Sequence, residues 1–147
     1  MEELMLERIP RGQELDIIDI IKRDFNLERT FGGNNNTISR IMHSKYCAYI
    51  KLSNKVIGFV MIVDNDRTKT DEIDMGIIRG YTNKGYGTKA LGILKKIIIA
   101  NNLNPEIQVK KINISAIETV LRNDFSLIRD DEDCFYYRLK DEEFRKR

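Results

Sequence analysis

Isoleucine, leucine and other apolar residues recur at helical spacing in four segments of the chain. In the first of them Ile17, Ile18 and Ile21 fall on one face, while Asp16 and Lys22 fall on the others. Such a stripe is typical of an amphipathic helix that packs one side on a core. The predicted helices cover residues 13–25, a short stretch from about residue 37, residues 85–101 and residues 113–123.

Seven other segments carry strand patterns. Residues 56–63 are almost continuously apolar, as expected for a central strand buried on both faces. Residues 72–78 alternate, with Ile73 and Met75 on one face and Glu72 and Asp74 on the other. The predicted strands are residues 4–9, 46–52, 56–63, 72–78, 107–109, 125–128 and 134–139.

The resulting element order is β-α-α-β-β-β-α-β-α-β-β. It combines hairpins with crossovers, which predicts an α/β protein of the α+β type with a mixed central sheet flanked by helices. A chain of 147 residues without repeats or linkers predicts a single domain over residues 1–147. The charged tail, residues 141–147, is expected to fray.

Composition narrows the class of protein. Apolar residues make up 41% and charged residues 33% of the chain, a balance typical of soluble globular domains. The net charge of +2, with no basic run along one helix face, argues against nucleic-acid binding. The acidic start lacks the apolar segment of a signal peptide, and no apolar run approaches a membrane span. We therefore predict a cytoplasmic protein that does not enter a membrane.

Three residues bear on redox and metal chemistry. Cys47 and Cys134 are far apart and in no C-x-x-C motif, which indicates reduced thiols of a cytosolic protein. The single histidine, His43, has no evident partners for a metal site, so we predict that no metal is bound.

A glycine-rich turn joins the fourth predicted strand to the third predicted helix. Gly80, Gly85 and Gly87 fall within eight residues. Amides of such a turn, together with the positive end of a helix, can hold a phosphate group. The alternative is a tight strand-to-helix turn with no ligand, since short glycine patterns also arise by chance. Lys84 precedes Gly85, so the turn is not a G-x-x-x-x-G-K-[ST] loop, which makes a nucleotide-binding domain a weaker interpretation.

The turn resembles the acetyl-CoA-binding turn of the GNAT family of N-acetyltransferases. That family's pattern, Q/R-x-x-G-x-G/A, lies between the fourth strand and the third helix, and this chain has T-N-K-G-Y-G at residues 82–87. The element order is also similar to that of the family over nearly the whole chain, which implies a mixed, mostly antiparallel sheet. One departure is Thr82 in place of glutamine or arginine, which removes one anchor for the pyrophosphate.

The resemblance implies an acetyl-CoA-dependent transfer of an acetyl group to a primary amine, by direct attack in a ternary complex. It places acetyl-CoA against the end of the fourth strand and the turn. A second family mark, N-x-x-[SA], matches Asn113 and Ala116, although Asn113 suits a helix N-cap equally well. The implied cofactor-binding residues are Ile77, Ile78, Arg79, Thr82, Asn83, Lys84, Gly85, Tyr86, Gly87, Thr88 and Asn113.

The same resemblance suggests a catalytic base on the fourth strand. Asp74 stands at the equivalent position and Glu72 lies on the same face, so either could accept the amine's proton directly or through water. The alternative is that both are ordinary polar-face residues. Many relatives use a tyrosine to protonate the leaving thiolate, but this chain has Val120 there. Tyr136, Tyr137 or water would have to protonate the thiolate instead.

Val120 and Thr82 keep a second hypothesis open, a catalytically silent acyl-CoA-binding module. The acceptor is expected to be a small-molecule or peptide amine, bound by a monomer or homodimer. By resemblance, the acceptor region would include Phe31, residues 34–36, His43 and the acidic turn at residues 130–133. That turn could attract a cationic amine, or it could be a solvated turn.

Overall fold

The computed structural model describes residues 3–24, 27, 35–65 and 70–145. The predicted order of helices and strands is confirmed, and one further helix follows the last strand. The elements are β1 (Leu4–Arg8), α1 (Asp16–Lys22), α2 (Asn35–Met42), β2 (Ser44–Leu52), β3 (Lys55–Asn65), β4 (Thr70–Ile77), α3 (Tyr86–Ala100), β5 (Glu106–Lys110), α4 (Ile114–Arg122), β6 (Phe125–Asp130), β7 (Cys134–Leu139) and α5 (Asp141–Arg145).

The strands form one seven-stranded sheet in the order β1-β2-β3-β4-β5-β7-β6. Every neighbouring pair is antiparallel except β4 and β5, which run parallel. A crossover through α3 joins these two strands, as a parallel pair requires. The mixed, mostly antiparallel sheet is therefore confirmed.

The core lies on both faces of β3, as its continuous apolar run predicts. Val60 and Ile62 pack into the cluster that includes Leu91 and Leu94 of α3. Phe59 and Met61, on the opposite face, pack with residues of α1 and α2 such as Ile17 and Ile41. Successive side chains of a strand point to opposite faces, so this one strand anchors both helical layers.

The charged tail folds further than its composition suggests. Residues 141–145 form α5, and Phe144 packs against the main core. Glu143 is buried and accepts a 2.7 Å hydrogen bond from Lys95 of α3. The expectation of a frayed tail is therefore wrong for these residues, because one aromatic ring and one buried ion pair attach them to the domain.

Two findings concern what the described ranges contain. None of their helices has the length and apolar character needed to cross a membrane. In the same ranges, no group of three or more histidine, cysteine, aspartate or glutamate side chains is placed to hold a metal ion.

Candidate active site

The sheet opens into a cleft where β4 and β5 separate. β4 pairs with β5 at a single position, Glu72 with Glu106, and beyond it the two strands diverge. The cleft has a volume of about 1030 Å³ and is lined by β4, β5, the glycine-rich turn and α4. It connects the polar face of β4, with Glu72 and Asp74, to the beginning of α3.

The backbone of β4 presents alternate residues to this cleft. The Ile78 amide donates to Ile57 O at 2.8 Å, which places Ile78 on the side that faces β3. In an antiparallel pair, successive residues of a strand direct their backbone N–H and C=O groups alternately to one side and to the other. Since Ile78 directs its groups toward β3, Ile77 and Met75 direct theirs toward the cleft. Both residues line the cleft.

Two of the residues predicted to bind the cofactor, Ile78 and Arg79, have backbone groups that bond within the protein. Ile78 O accepts from the Tyr81 amide at 3.0 Å, so both polar backbone groups of Ile78 are engaged. The Arg79 amide donates to the buried carboxylate of Asp24, which follows α1. The available strand edge therefore consists of Met75 and Ile77, and Met75 was missed because its side chain reads only as a core residue.

The glycine-rich turn leads into the start of α3 with its amides uncovered. Gly80 and Gly85 have φ of 99° and 84°, a left-handed conformation that favours glycine. Gly85 provides no side-chain cap, and the first turn of α3 contains no acidic residue. The Lys89 amide donates to the Gly85 carbonyl oxygen. The amides of Gly87 and Thr88, which precede Lys89, have no acceptor in the described part of the chain. Uncovered amides at the positive helix end attract an anion.

The cleft receives most of the predicted turn residues. Lys84 and Tyr86 do not line it, whereas Tyr81, which was not predicted, does. The Tyr81 ring lies 6.4 Å from that of Tyr86, and Lys55 Nζ lies 5.3 Å from the Tyr81 ring centre. The turn residues that line the cleft are Thr82, Asn83, Gly85, Gly87 and Thr88.

Asn113 caps a helix and also lies at the cleft. Its Oδ1 atom accepts a 3.1 Å hydrogen bond from the Ala116 amide, so it caps α4. The same residue lines the cleft. The capping role is observed, and the cofactor-binding role stays a prediction.

The two candidate carboxylates share one cationic partner. Nη2 of Arg40, on α2, lies 2.7 Å from Asp74 Oδ2 and 3.2 Å from Glu72 Oε2. Sequence reasoning missed Arg40, because nothing in the spacing indicates that its side chain reaches β4. Burial raises the pKa of the Asp74 carboxyl above its usual value, while the Arg40 guanidinium opposes that rise.

Neither tyrosine of β7 reaches the cleft. Tyr136 donates to Asp131 Oδ2 at 2.7 Å, and this hydrogen bond, together with burial, raises the pKa of Tyr136 to about 12. Tyr137 is buried in the core. Val120 lines the cleft with a 1% exposed side chain. A proton donor at this end of the cleft therefore has to be water or a group other than these three side chains.

The expected acceptor region is only partly described. Phe31, Asn34 and the side chains of residues 35 and 36 lie outside the described part of the structure. His43 is exposed, and its Nδ1 lies 2.8 Å from Ser39 O. Asp131 accepts from the amides of Asp133 and Cys134, so it stabilises its own turn.

Comparisons with known proteins agree with this geometry. The family model described as "Acetyltransferase (GNAT) family" matches residues 15–125. No curated protein sequence matches the chain significantly.

The fold is similar to those of several solved acetyltransferases. A putative GNAT-family acetyltransferase from Bordetella pertussis superposes with a TM-score of 0.74 at 11% identity, covering 93% of this chain and 95% of that one. Aminoglycoside acetyltransferase AAC(6')-Ib in complex with coenzyme A superposes with a TM-score of 0.73 at 13% identity, covering 98% of each chain. PaiA N-acetyltransferase from Thermoplasma acidophilum, also in complex with coenzyme A, superposes with a TM-score of 0.66 at 13% identity, covering 94% of this chain and 99% of that one. The match to the family model over most of the chain shows that this protein belongs to the GNAT acetyltransferase family.

Proposed function

We propose that the protein is an N-acetyltransferase that transfers an acetyl group from acetyl-CoA to a primary amine, by direct attack in a ternary complex. The observation that carries the proposal is the cleft between β4 and β5, which ends at the uncapped start of α3. Two structures of similar fold, AAC(6')-Ib and PaiA, contain coenzyme A. They support the same ligand here.

The residues present fit acetyl-CoA. The amides of Gly87 and Thr88 and the α3 dipole suit the pyrophosphate. The exposed edge of Met75 and Ile77 suits the pantetheine amides, which would pair with it as an added strand does. A side chain added at Gly87 would approach Ile77 at 3.6 Å and Met75 at 3.8 Å. It would therefore extend toward the side chains of β4 that line the cleft.

When bound, acetyl-CoA supplies a thioester whose acyl carbon an amine nitrogen can attack. A new C–N bond forms, the C–S bond breaks, and coenzyme A leaves as a thiolate that takes a proton. The attacking amine must be neutral, whereas a free alkylamine is protonated at pH 7. Asp74, with Glu72 beside it, would accept this proton directly or through water. Arg40 would stabilise the carboxylate form of both.

The second candidate function is a silent acyl-CoA-binding module. The observation that favours it is Val120, a buried apolar side chain in the cleft. A single domain over residues 1–147, a monomeric or homodimeric state and a cytoplasmic location stay predictions.

Calorimetry and thiol release test the two candidates. Acetyl-CoA should bind at least about tenfold more tightly than S-acetylpantetheine, which lacks the pyrophosphate, because charge-assisted hydrogen bonds contribute about 1.5–3 kcal/mol. Gly87→Leu should reduce this difference. Ala100→Leu, at an exposed position at the other end of α3 and away from the cleft, is the control. Equal affinities would remove the turn from the binding site. Binding without thiol release for any amine would support the silent module.

A further inference from the structure

Two positively charged side chains line the cleft among the residues that the structure describes, Lys110 of β5 and Arg122 of α4. Arg122 is exposed, and in the described ranges no hydrogen bond or ion pair engages its guanidinium. A guanidinium has five N–H donors in a planar arrangement. Arg122 therefore offers a full set of donors to a ligand in the cleft.

Arg122 lies beside the start of α3. The side-chain amide of Asn123 donates to Thr88 O at 3.1 Å and to Thr119 O at 3.0 Å, which joins the end of α4 to the first turn of α3. The hydroxyl oxygens of Thr88 and Thr119 lie 3.2 Å apart. Arg122 follows Thr119 by three residues, so the two side chains share a face of α4, and both line the cleft. An anion at the amides of Gly87 and Thr88 is therefore within reach of the guanidinium.

The start of α3 by itself supplies little charge for the phosphate groups of acetyl-CoA. A helix N-terminus is equivalent to roughly half a positive charge, whereas the pyrophosphate and the ribose 3′-phosphate each carry more than a full negative charge. The turn residues Thr82 and Asn83 line the cleft but are uncharged, and Lys84 does not line it. A guanidinium at this end of the cleft supplies the missing charge, and it can bind a phosphate with two parallel hydrogen bonds.

The other charged residues of this region leave Arg122 available. Glu118 precedes it by one turn and lines the cleft, but no ion pair joins the two side chains in the part of the chain that the structure describes. Lys110 lies before the start of α4, a helix of nine residues that is about 13 Å long, so it is at the far end from Arg122. The alternative role of Arg122 is to complement the α4 dipole as a cation in the last turn. That role predicts no effect on cofactor affinity.

We infer that Arg122 binds a phosphate group of acetyl-CoA and thereby selects the complete cofactor over analogues without phosphate. The group is either the pyrophosphate at the amides of Gly87 and Thr88 or the ribose 3′-phosphate of the same molecule, and both present phosphate oxygens to the guanidinium. This inference rests on the proposed function, since both candidate functions require acetyl-CoA, and it adds a residue to the cofactor site. Arg122 does not touch the reacting atoms, so it is a specificity-determining residue and not a catalytic one.

Calorimetry with three ligands tests the inference without depending on turnover. The probes are acetyl-CoA, 3′-dephospho-acetyl-CoA, which keeps the pyrophosphate, and S-acetylpantetheine, which has no phosphate. The measured quantity is the ratio of the S-acetylpantetheine Kd to the acetyl-CoA Kd. Arg122→Gln should lower this ratio about tenfold, because a charge-assisted contact to phosphate is lost. Arg122→Lys should recover part of the ratio, since it keeps the charge but not the planar set of donors.

Lys96→Gln is the matched control, because it removes a positive charge of the neighbouring helix that does not face the cleft. Lys96 is exposed on α3 and follows Thr88 by eight residues, which is about 12 Å along the helix. Physiological salt screens charges beyond about 8 Å, so this variant should keep the wild-type ratio. In thiol-release assays, Arg122→Gln should raise the KM for acetyl-CoA and leave kcat and the KM for the amine near their wild-type values.

The dephosphorylated ligand identifies the phosphate. If Arg122→Gln weakens the binding of acetyl-CoA alone, Arg122 binds the 3′-phosphate, and if it weakens 3′-dephospho-acetyl-CoA equally, Arg122 binds the pyrophosphate.

The outcomes also separate the inference from the function beneath it. A wild type that prefers acetyl-CoA, with an unchanged ratio in Arg122→Gln, would overturn the inference and leave the proposed function standing. An equal fall in Lys96→Gln would assign the effect to net charge and overturn it as well. A wild type that binds acetyl-CoA no better than S-acetylpantetheine would remove the turn from the cofactor site, and this inference with it.

Discussion

The two edges of β4 differ in how completely they are paired. On one edge, β3 follows β4 through eight residue pairs, from Gly58–Ile77 to Asn65–Thr70. On the other, β5 meets it only at Glu72–Glu106. The paired edge uses the polar backbone groups of β4 for the sheet, whereas the open edge leaves those of Met75 and Ile77 to a ligand. An incompletely paired strand in the middle of a sheet can therefore serve as a binding surface.

The paired edge is also the more tightly packed of the two. A side chain at Gly58 would meet the Gly76 carbonyl oxygen at 2.2 Å, and one at Gly76 would meet Phe59 at 2.8 Å. In the cleft beside the open edge, a side chain at Gly87 of α3 would make ordinary contacts of 3.6 Å or more with the side chains of Ile77 and Met75. Substitutions at the paired edge should therefore change folding, and those at the open edge should change ligand binding and chemistry.

The largest expected effect is on catalysis at the open edge. Asp74→Asn should lower kcat by about 10²–10⁴-fold, because it removes the proposed base. Its affinity for acetyl-CoA, measured by calorimetry, should change little. Asp71→Asn is the matched control, since Asp71 lies on the same strand but pairs with Lys45 and does not line the cleft. An unchanged kcat in Asp74→Asn would remove this residue from the mechanism.

The pH dependence follows from the same carboxyl group. Burial raises the Asp74 pKa above its usual value, so activity should fall with decreasing pH as Asp74 takes up a proton. In folding, the native state binds this proton more tightly than the unfolded state. The contribution of Asp74 to stability is therefore greatest below the unfolded pKa and is lost as pH rises through the native one. Urea unfolding of wild type and Asp74→Asn between pH 3 and pH 7 should show that difference.

The next largest expected effect is on stability, from a substitution at the paired edge. Gly58→Ala should lower the free energy of unfolding by about 1–3 kcal/mol, because its side chain meets backbone atoms that must move. Gly87→Ala should leave it unchanged or raise it by up to about 1 kcal/mol, since alanine favours a helix. Urea denaturation measures both. Equal destabilisation would mean that the two edges do not differ in packing.

Val120→Tyr tests whether the cleft lacks a proton donor for the leaving thiolate. Val120 is 1% exposed, so the larger side chain should cost about 1–3 kcal/mol of stability. If protonation of the thiolate limits turnover, the new phenol should raise kcat. A stable variant with unchanged kcat would show that water suffices or that this step is not limiting. Val120→Phe controls for size without the hydroxyl group.

The smallest effect compares the two cysteines. Cys47 lies within the β2–β3 pairing, opposite Met61, and burial raises the pKa of its thiol to about 12. Cys134 is also buried, but it lines the cleft. Iodoacetamide should modify Cys134 at least about tenfold faster, because Cys47 is almost entirely in the unreactive thiol form. Acetyl-CoA should slow that reaction, as peptide mass spectrometry can measure. Faster modification of Cys47 would contradict the difference between the edges.

Local patterns in the sequence determined much of this picture. The periods of two and 3.6 residues identified β1 to β7 and α1 to α4, because side-chain direction repeats within each element. The same period placed Glu72 and Asp74 on one face of β4, where both line the cleft. The glycine spacing located the turn before α3, because left-handed backbone at Gly80 and Gly85 favours glycine.

Contacts between elements were decided only by the tertiary structure. Arg40 meets Asp74 across 34 residues, and Arg129 meets Glu106 across 23. The Arg79 amide finds Asp24 across 55, and α5 forms because Phe144 reaches the core. Periodicity shows which face of an element is apolar, but not which other element approaches it or at what distance. That approach depends on how the whole core packs, and in this protein it determines which charges and amides the cleft presents to a ligand.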